Sequence, residues 1–153
     1  MVDDKAEQLS RLDQGFTGAI PHNRALGLRF LDFAHGEAQL LLPYAPELVG
    51  NPETGVLHGG AISSLLDAAC GAAVFLKLAS PTPIATLDLR IDYLKMGTPG
   101  RDVVCKARCY KVTRNVAFVR GIAYHDDEDD PIAAAAGSFI IQSKGPPVVG
   151  GRQ

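Results

Sequence analysis

Apolar and polar positions along this chain form strand-like stretches on either side of one long apolar run. Leu26 to Phe33 reads as a strand, His35-Gly36 as a turn, and Glu37 to Leu42 as the hairpin partner, closed by Pro43. Residues 46–55 form a loop rich in Gly and Pro. The apolar run starts at His58 and continues to Leu78, and between His58 and Lys77 its one charged side chain is Asp67. Apolar residues cover every face of this run, which predicts a helix buried all round. Ser80-Pro81-Thr82-Pro83 stops it. Residues 84–94 then alternate, with Leu87, Leu89, Ile91 and Tyr93 on one face and Thr86, Asp88, Arg90 and Asp92 on the other. Residues 102–112 place Val103, Cys105, Ala107 and Cys109 on one face. Residues 116–124 and 131–142 complete the strands, the last from small and β-branched residues.

Two strands, a helix and four strands predict an α+β fold with an antiparallel sheet. The expected organisation is an N-terminal tail or short surface helix over 1–15, a single domain over 16–142, and a C-terminal tail over 143–153. One helix against one sheet leaves apolar surface over in a chain of this length.

Composition narrows the function classes. The 153 residues are 46% hydrophobic and 21% charged, enough for one domain with a real core. A net charge of −2 gives no general attraction to nucleic acid or acidic membrane. Cys70, Cys105 and Cys109 are odd in number and lack metal-ligand spacing with histidine, so they read as reduced, buried thiols of a cytoplasmic protein. The acidic start Met1-Val2-Asp3-Asp4-Lys5 lacks an apolar signal core. The central helix is borderline in length for a membrane span, but Asp67 near its middle argues against one. The run His125 to Asp130 reads as a solvated acidic loop, with metal binding the lesser alternative. No metal or cofactor is expected.

The candidate chemistry lies in Gly55 to Cys70. A carboxylate in an apolar helix is costly unless donors satisfy it or a reaction uses it. The turn His58-Gly59-Gly60 opens the helix, where free backbone N–H groups and the positive dipole end suit an oxygen that becomes negative during reaction. Gly59 is expected to take no side chain. A tight turn before a core helix, with Asp67 bonded for structure, explains the same residues. His58 reads as orienting the turn, and Ser63 and Ser64 as packing or capping. No Gly-x-Ser-x-Gly elbow is present, which removes a serine hydrolase. A basic stretch from Arg101 to Arg120 includes Arg114 at the Thr113-Arg114-Asn115 turn, suited to phosphate or simply solvated.

His58-Gly59-Gly60, six residues, then Asp67 in an apolar helix resembles the hotdog-fold acyl-CoA thioesterases of the PaaI-like, phenylacetate-pathway type. Ile20-Pro21-His22-Asn23 with Leu26-Gly27, and Thr86 to Leu94 followed by Gly97, are similar to that family's flanking segments. The likeness spans roughly residues 16–142. It implies a sheet wrapped around the central helix, and a homodimer or homotetramer that covers the leftover surface. It also implies hydrolysis of a small or medium acyl- or aryl-CoA. By the same resemblance, Gly59 N–H holds the carbonyl oxygen, and Asp67 activates water or attacks directly. The two groups come from different subunits. Thr86 falls where relatives hold the attacking water. Asn51 resembles an upstream asparagine, here seven positions before His58 where relatives show six. His58 and Gly60 shape the substrate turn, and Arg114 is the candidate for the CoA phosphates. The alternatives are a hotdog hydratase or dehydratase, or an acyl-CoA-binding module without catalysis. Neither nucleic acid nor membrane is an expected partner.

Overall fold

The structure is a computed structural model that describes residues 2–142, so the C-terminal tail read at 143–153 lies outside the described residues. The chain opens with α1 (Val2–Leu12), a π-helical turn (Asp13–Gly18) and α2 (Pro21–Ala25). The strands β1 (Arg29–Ala34) and β2 (Glu37–Leu42) follow as a hairpin. A 3-10 turn (Pro46–Leu48) leads to a two-stranded ribbon, β3 (Val49–Asn51) and β4 (Val56–Leu57). The central helix is α3 (Gly59–Lys77). The remaining strands are β5 (Ile84–Tyr93), β6 (Val103–Val112), β7 (Val116–Tyr124) and β8 (Ala133–Ile141).

Six strands form one antiparallel sheet in the order β1-β2-β6-β7-β8-β5. Helix α3 crosses its concave face, mostly over β2, β6 and β7. Leu65, Leu66, Ala69, Cys70, Ala73 and Val74 on the helix meet Leu40, Leu42, Val103, Cys105 and Val119 on the sheet, all essentially inaccessible. Truncating one of these leucines to alanine costs about 2–5 kcal/mol, because the lost transfer energy and the cavity add.

Two expectations need correction. The first strand starts at Arg29, because Pro21 at the first turn of a helix seeds α2 and Leu26 becomes its cap. The central helix is not buried all round. Ser63, Ser64, Asp67 and Ala68 on the side away from the sheet are only partly covered, and Gly60 is exposed. By length and composition α3 could cross a membrane, yet 61% of that window is buried against the rest of the chain.

The edges of the sheet are β1 and β5. β1 is backed by the N-terminal segment, through Phe30 N–H to Asp13 Oδ1 at 2.7 Å and the edge-on Phe16–Phe30 ring pair at 5.9 Å. β5 and the residues after it carry Leu87, Tyr93, Leu94 and Met96, all at least half exposed.

Candidate active site

The helix start is set by its own cap. His58 is extended, at φ −61° and ψ 135°, and its Nδ1 accepts the Gly60 N–H at 2.8 Å. The ring thus does what Ser or Asp commonly does at this position. It can do so because residue 60 is glycine: a Cβ there would stand 2.8 Å from Nδ1. The bond also spends the Gly60 N–H, which leaves Gly59 as the glycine of the turn whose N–H has no partner among the described residues. Tyr93 Oη donates to the Gly59 carbonyl at 2.8 Å and fixes the turn from the other side. A Cβ on Gly59 would meet Tyr93 at 3.5 Å, an ordinary contact. The fold therefore has room for a Cβ at Gly59. What such a side chain would obstruct is approach to the amide.

Asp67 is half-buried, and its Oδ1 accepts a hydrogen bond from Thr86 Oγ1 at 2.8 Å. Strict alternation turns Thr86 away from the helix. A register shift between Thr86 and Asp88, where β5 pairs with β8, reverses the sides. Thr86 then faces α3 and Leu87 faces outward, 55% exposed, while Tyr93 still reaches the helix start. No cation lies within ion-pair distance of Asp67 among the described residues. The carboxylate and Thr86 face a cavity of about 390 Å³ shared with His22, Ser64 and Phe16. A second cavity holding His58 and Gly60 adjoins it through His22 and Ser64.

Gly59 does not share that cavity. It lines a different one with Ile62, Tyr93 and Met96. Eight residues along a helix turn the side-chain direction by about 80°. One chain therefore presents Asp67 and the Gly59 amide to two separate hollows.

Asn51 is used within its own turn. Its Oδ1 accepts the Glu53 N–H at 3.0 Å and its carbonyl accepts Gly55 N–H at 2.8 Å, so the structure does not bring it to Asp67 within the chain. The basic stretch is largely neutralised: Arg101 pairs with Asp126, Lys106 with Glu128 and Arg108 with Glu37, while Arg120 lies over the Tyr110 ring. Lys95 pairs with Asp130, so Asp126, Glu128 and Asp130 of the acidic run are each in an ion pair. Lys111 and Arg114 have no such partner among the described residues. The Arg114 hairpin meets β8 where Ile141 N–H reaches the Asn115 carbonyl, at the end of the sheet away from the Gly59 turn.

Ser63 and Ser64 both donate to the Gly60 carbonyl, at 3.0 and 2.8 Å. The three cysteines are free and buried. Burial first, and then the Asp67 charge, pushes the Cys70 thiol up to about 12. Such a thiol stays protonated and is no nucleophile. His22, Tyr93 and Phe16 around the site were not singled out from sequence. Tyr93 carried a signal, its place on the inward face of the alternation. His22 lay in a segment that carried the resemblance but no role, and Phe16 lies in a segment without periodicity and carried none.

Comparison with known proteins bears on the family and the fold. The profile of the thioesterase superfamily matches residues 54–132, from the turn before α3 to the end of the acidic loop. The chain is 32% identical over 150 residues to the medium/long-chain acyl-CoA thioesterase YigI of Escherichia coli, covering 89% of this chain and 96% of that one. A crystal structure of a Pseudomonas aeruginosa protein is similar at 43% identity and a TM-score of 0.78, over 88% of this chain and 98% of that one. A mutant structure of the phenylacetic acid degradation protein PaaI from Thermus thermophilus is similar at 25% identity and a TM-score of 0.70, over 80% of this chain and 99% of that one.

Proposed function

The chain belongs to the thioesterase superfamily, as a PaaI-like hotdog thioester hydrolase, and from that premise we propose that it splits acyl-CoA into free acid and CoA with Asp67 as the base. The observation that carries the assignment is the Asp67–Thr86 pair at 2.8 Å, facing a cavity with no counter-cation. Thr86 occupies Oδ1 and so orients the carboxylate, leaving Oδ2 toward the cavity to take a proton from water. The water oxygen adds to the thioester carbonyl, whose oxygen becomes negative and is held by the Gly59 N–H. Collapse of that adduct breaks the carbon–sulfur bond, and the CoA thiolate takes up a proton.

The two halves come from different copies of the chain. In support, Asp67 and Gly59 open into separate hollows of one chain. The free edge of β5 and its exposed Leu87, Tyr93, Leu94 and Met96 are suited to pairing with a second β5, which would also cover the open side of α3. In this reading the working unit is a homodimer, cytoplasmic as its buried reduced thiols suggest. His58 and Gly60 shape the turn, Asn51 holds the loop before it, and Arg114, at the hairpin, is the cation assigned to a CoA phosphate.

The test is thiol release over a panel of straight-chain and aromatic acyl-CoAs. Wild type should turn over part of the panel. Asp67→Asn should fold and lose about 10²-fold or more in kcat, on the scale of a positioned acid–base group. Near-normal turnover by that variant would make Asp67 structural. In the same assay Arg114→Ala should raise KM for full acyl-CoA at low salt and leave pantetheine thioesters alone. An unchanged KM would leave Arg114 as surface.

A further inference from the structure

The Gly59 hollow is walled on one side by Leu94, Lys95, Met96 and Gly97, which lie on 94–102, a connection without regular structure between β5 and β6. A wall with no ladder of its own needs ties from elsewhere. Two are backbone bonds: the Leu94 and Lys95 N–H groups reach the Ile132 carbonyl at 2.8 and 3.2 Å. The third is a histidine. His125, directly after β7, accepts the Thr98 N–H on Nε2 at 2.8 Å, and its Nδ1 lies 2.7 Å from the Asp102 carbonyl. Gly97 is the buried residue of this connection and rests on the same ring, since a Cβ there would stand 3.8 Å from Nε2.

From Asp102 the contacts run on toward the start of α3. Asp102 Oδ1 accepts the Tyr44 N–H at 2.8 Å, and Tyr44 Oη donates to the Gly55 carbonyl at 2.7 Å. Gly55 in turn faces Pro99, the neighbour of Thr98: a Cβ on Gly55 would be 3.3 Å from the Pro99 Cβ. His125, Thr98, Pro99, Gly55, Tyr44 and Asp102 therefore form a closed circuit. Gly55 holds a φ of +76° and leads through the two residues of β4 into His58 and Gly59.

We propose that His125 is a positioning residue for the Gly59 amide: it closes this circuit, and the circuit holds the short strand that delivers the helix start. The proposal rests on the hydrolase reading above, in which the Gly59 N–H holds the carbonyl oxygen. Histidine suits the task because its two neighbours ask opposite things. The Asp102 carbonyl needs a donor and the Thr98 N–H needs an acceptor, and neutral imidazole offers one of each. The contacts thus fix the tautomer, with the proton on Nδ1 and the lone pair on Nε2. Arg101–Asp126 and Lys95–Asp130 brace the same region, but both pairs are largely exposed, and such pairs contribute little.

Tyr44→Phe and His125→Phe open the circuit at two separate points, and neither residue lines the Gly59 hollow. Each should lower kcat about tenfold with KM little changed, because the displaced donor acts on charge that develops in the transition state. The double variant should be no slower than either single one, since a circuit already open cannot be opened again; independent props would instead multiply to about a hundredfold. Two NMR readings need no turnover. The ring nitrogens of His125 in wild type should show the proton on Nδ1. The Gly59 amide resonance should move in both variants, although neither substitution touches it. A proton on Nε2, a Gly59 amide unmoved in both variants, multiplied losses in the double variant, or a lower melting temperature with kcat intact would each overturn the proposal. Failure of the hydrolase reading looks different: wild type would release no thiol from any member of the panel, while the Gly59 amide still follows the circuit.

Discussion

Asp67 was visible as an anomaly before any fold was known, because it is the one carboxylate in a run that otherwise wants to be buried. Its partner was not. Thr86 sits on the polar side of a strict alternation and faces the helix only because β5 carries an extra residue at Leu87. The Thr86 hydroxyl fixes one rotamer of the carboxylate and has lone pairs left for water. Thr86→Val keeps the volume and removes the bond. It should lower kcat by about tenfold, less than loss of the base itself, since the base remains but is no longer oriented. KM and the melting temperature should barely move, because the pair is partly exposed. Thr86→Ser should restore most of the rate. A Thr86→Val enzyme with wild-type kcat would reduce the contact to packing. The two glycines of the turn looked equivalent in sequence, and geometry separates them. Gly60 makes room for the His58 ring, and Gly59 keeps an amide clear.

At the scale of elements, the strands and the long helix were legible because their periods are long and their stops chemically plain. β2 follows its pattern to the residue, and β6 and β7 to within one. What stayed hidden is what breaks a period. The π turn at Asp13–Gly18 and the β5 bulge each add a residue that no periodicity announces. The bulge does have a steric counterpart across the sheet. Gly137 on β8 lies so close that a Cβ there would be 2.5 Å from the Asp88 carbonyl and 3.0 Å from Leu89 Cδ1. Backbone cannot yield as a side-chain tip can. Gly137→Ala should cost about 1–3 kcal/mol, the range for overpacking, read as a lower melting temperature. It should also lower kcat, because relief of the clash shifts β5 and with it Thr86. An unchanged melting temperature would mean that the bulge needs no glycine opposite it. A lower melting temperature with kcat intact would show that the bulge and the Asp67–Thr86 pair are uncoupled.

At the scale of the whole molecule, Asp67 and Gly59 line two different hollows of one chain, and the proposed mechanism needs them together. A helix that carries Asp67 two turns beyond Gly59 separates the two by about 80° around its axis. No local rearrangement closes that angle without unwinding α3. In the proposed dimer a two-fold axis beside β5 would do so, setting the Gly59 end of one helix against the Asp67 face of the other and making two equivalent sites. Mixing variants distinguishes the arrangements. Asp67→Asn and Gly59→Val should each be nearly inactive as pure proteins, the second because its side chain crowds the amide, while its Cβ meets Tyr93 only at ordinary contact distance. Unfolded and refolded together, they form mixed dimers at random. In a mixed dimer one site joins the substituted residues of both chains and stays dead. The other joins the native Asp67 of one chain to the native Gly59 of its partner. About half of the dimers are mixed and each has one working site, so about a quarter of wild-type activity should return. If each site lay within a single chain, every chain in the mixture would carry one defect and no activity would return. A mixture as inactive as its components, with mixed dimers verified by mass spectrometry, would therefore place Asp67 and Gly59 in the same chain's site.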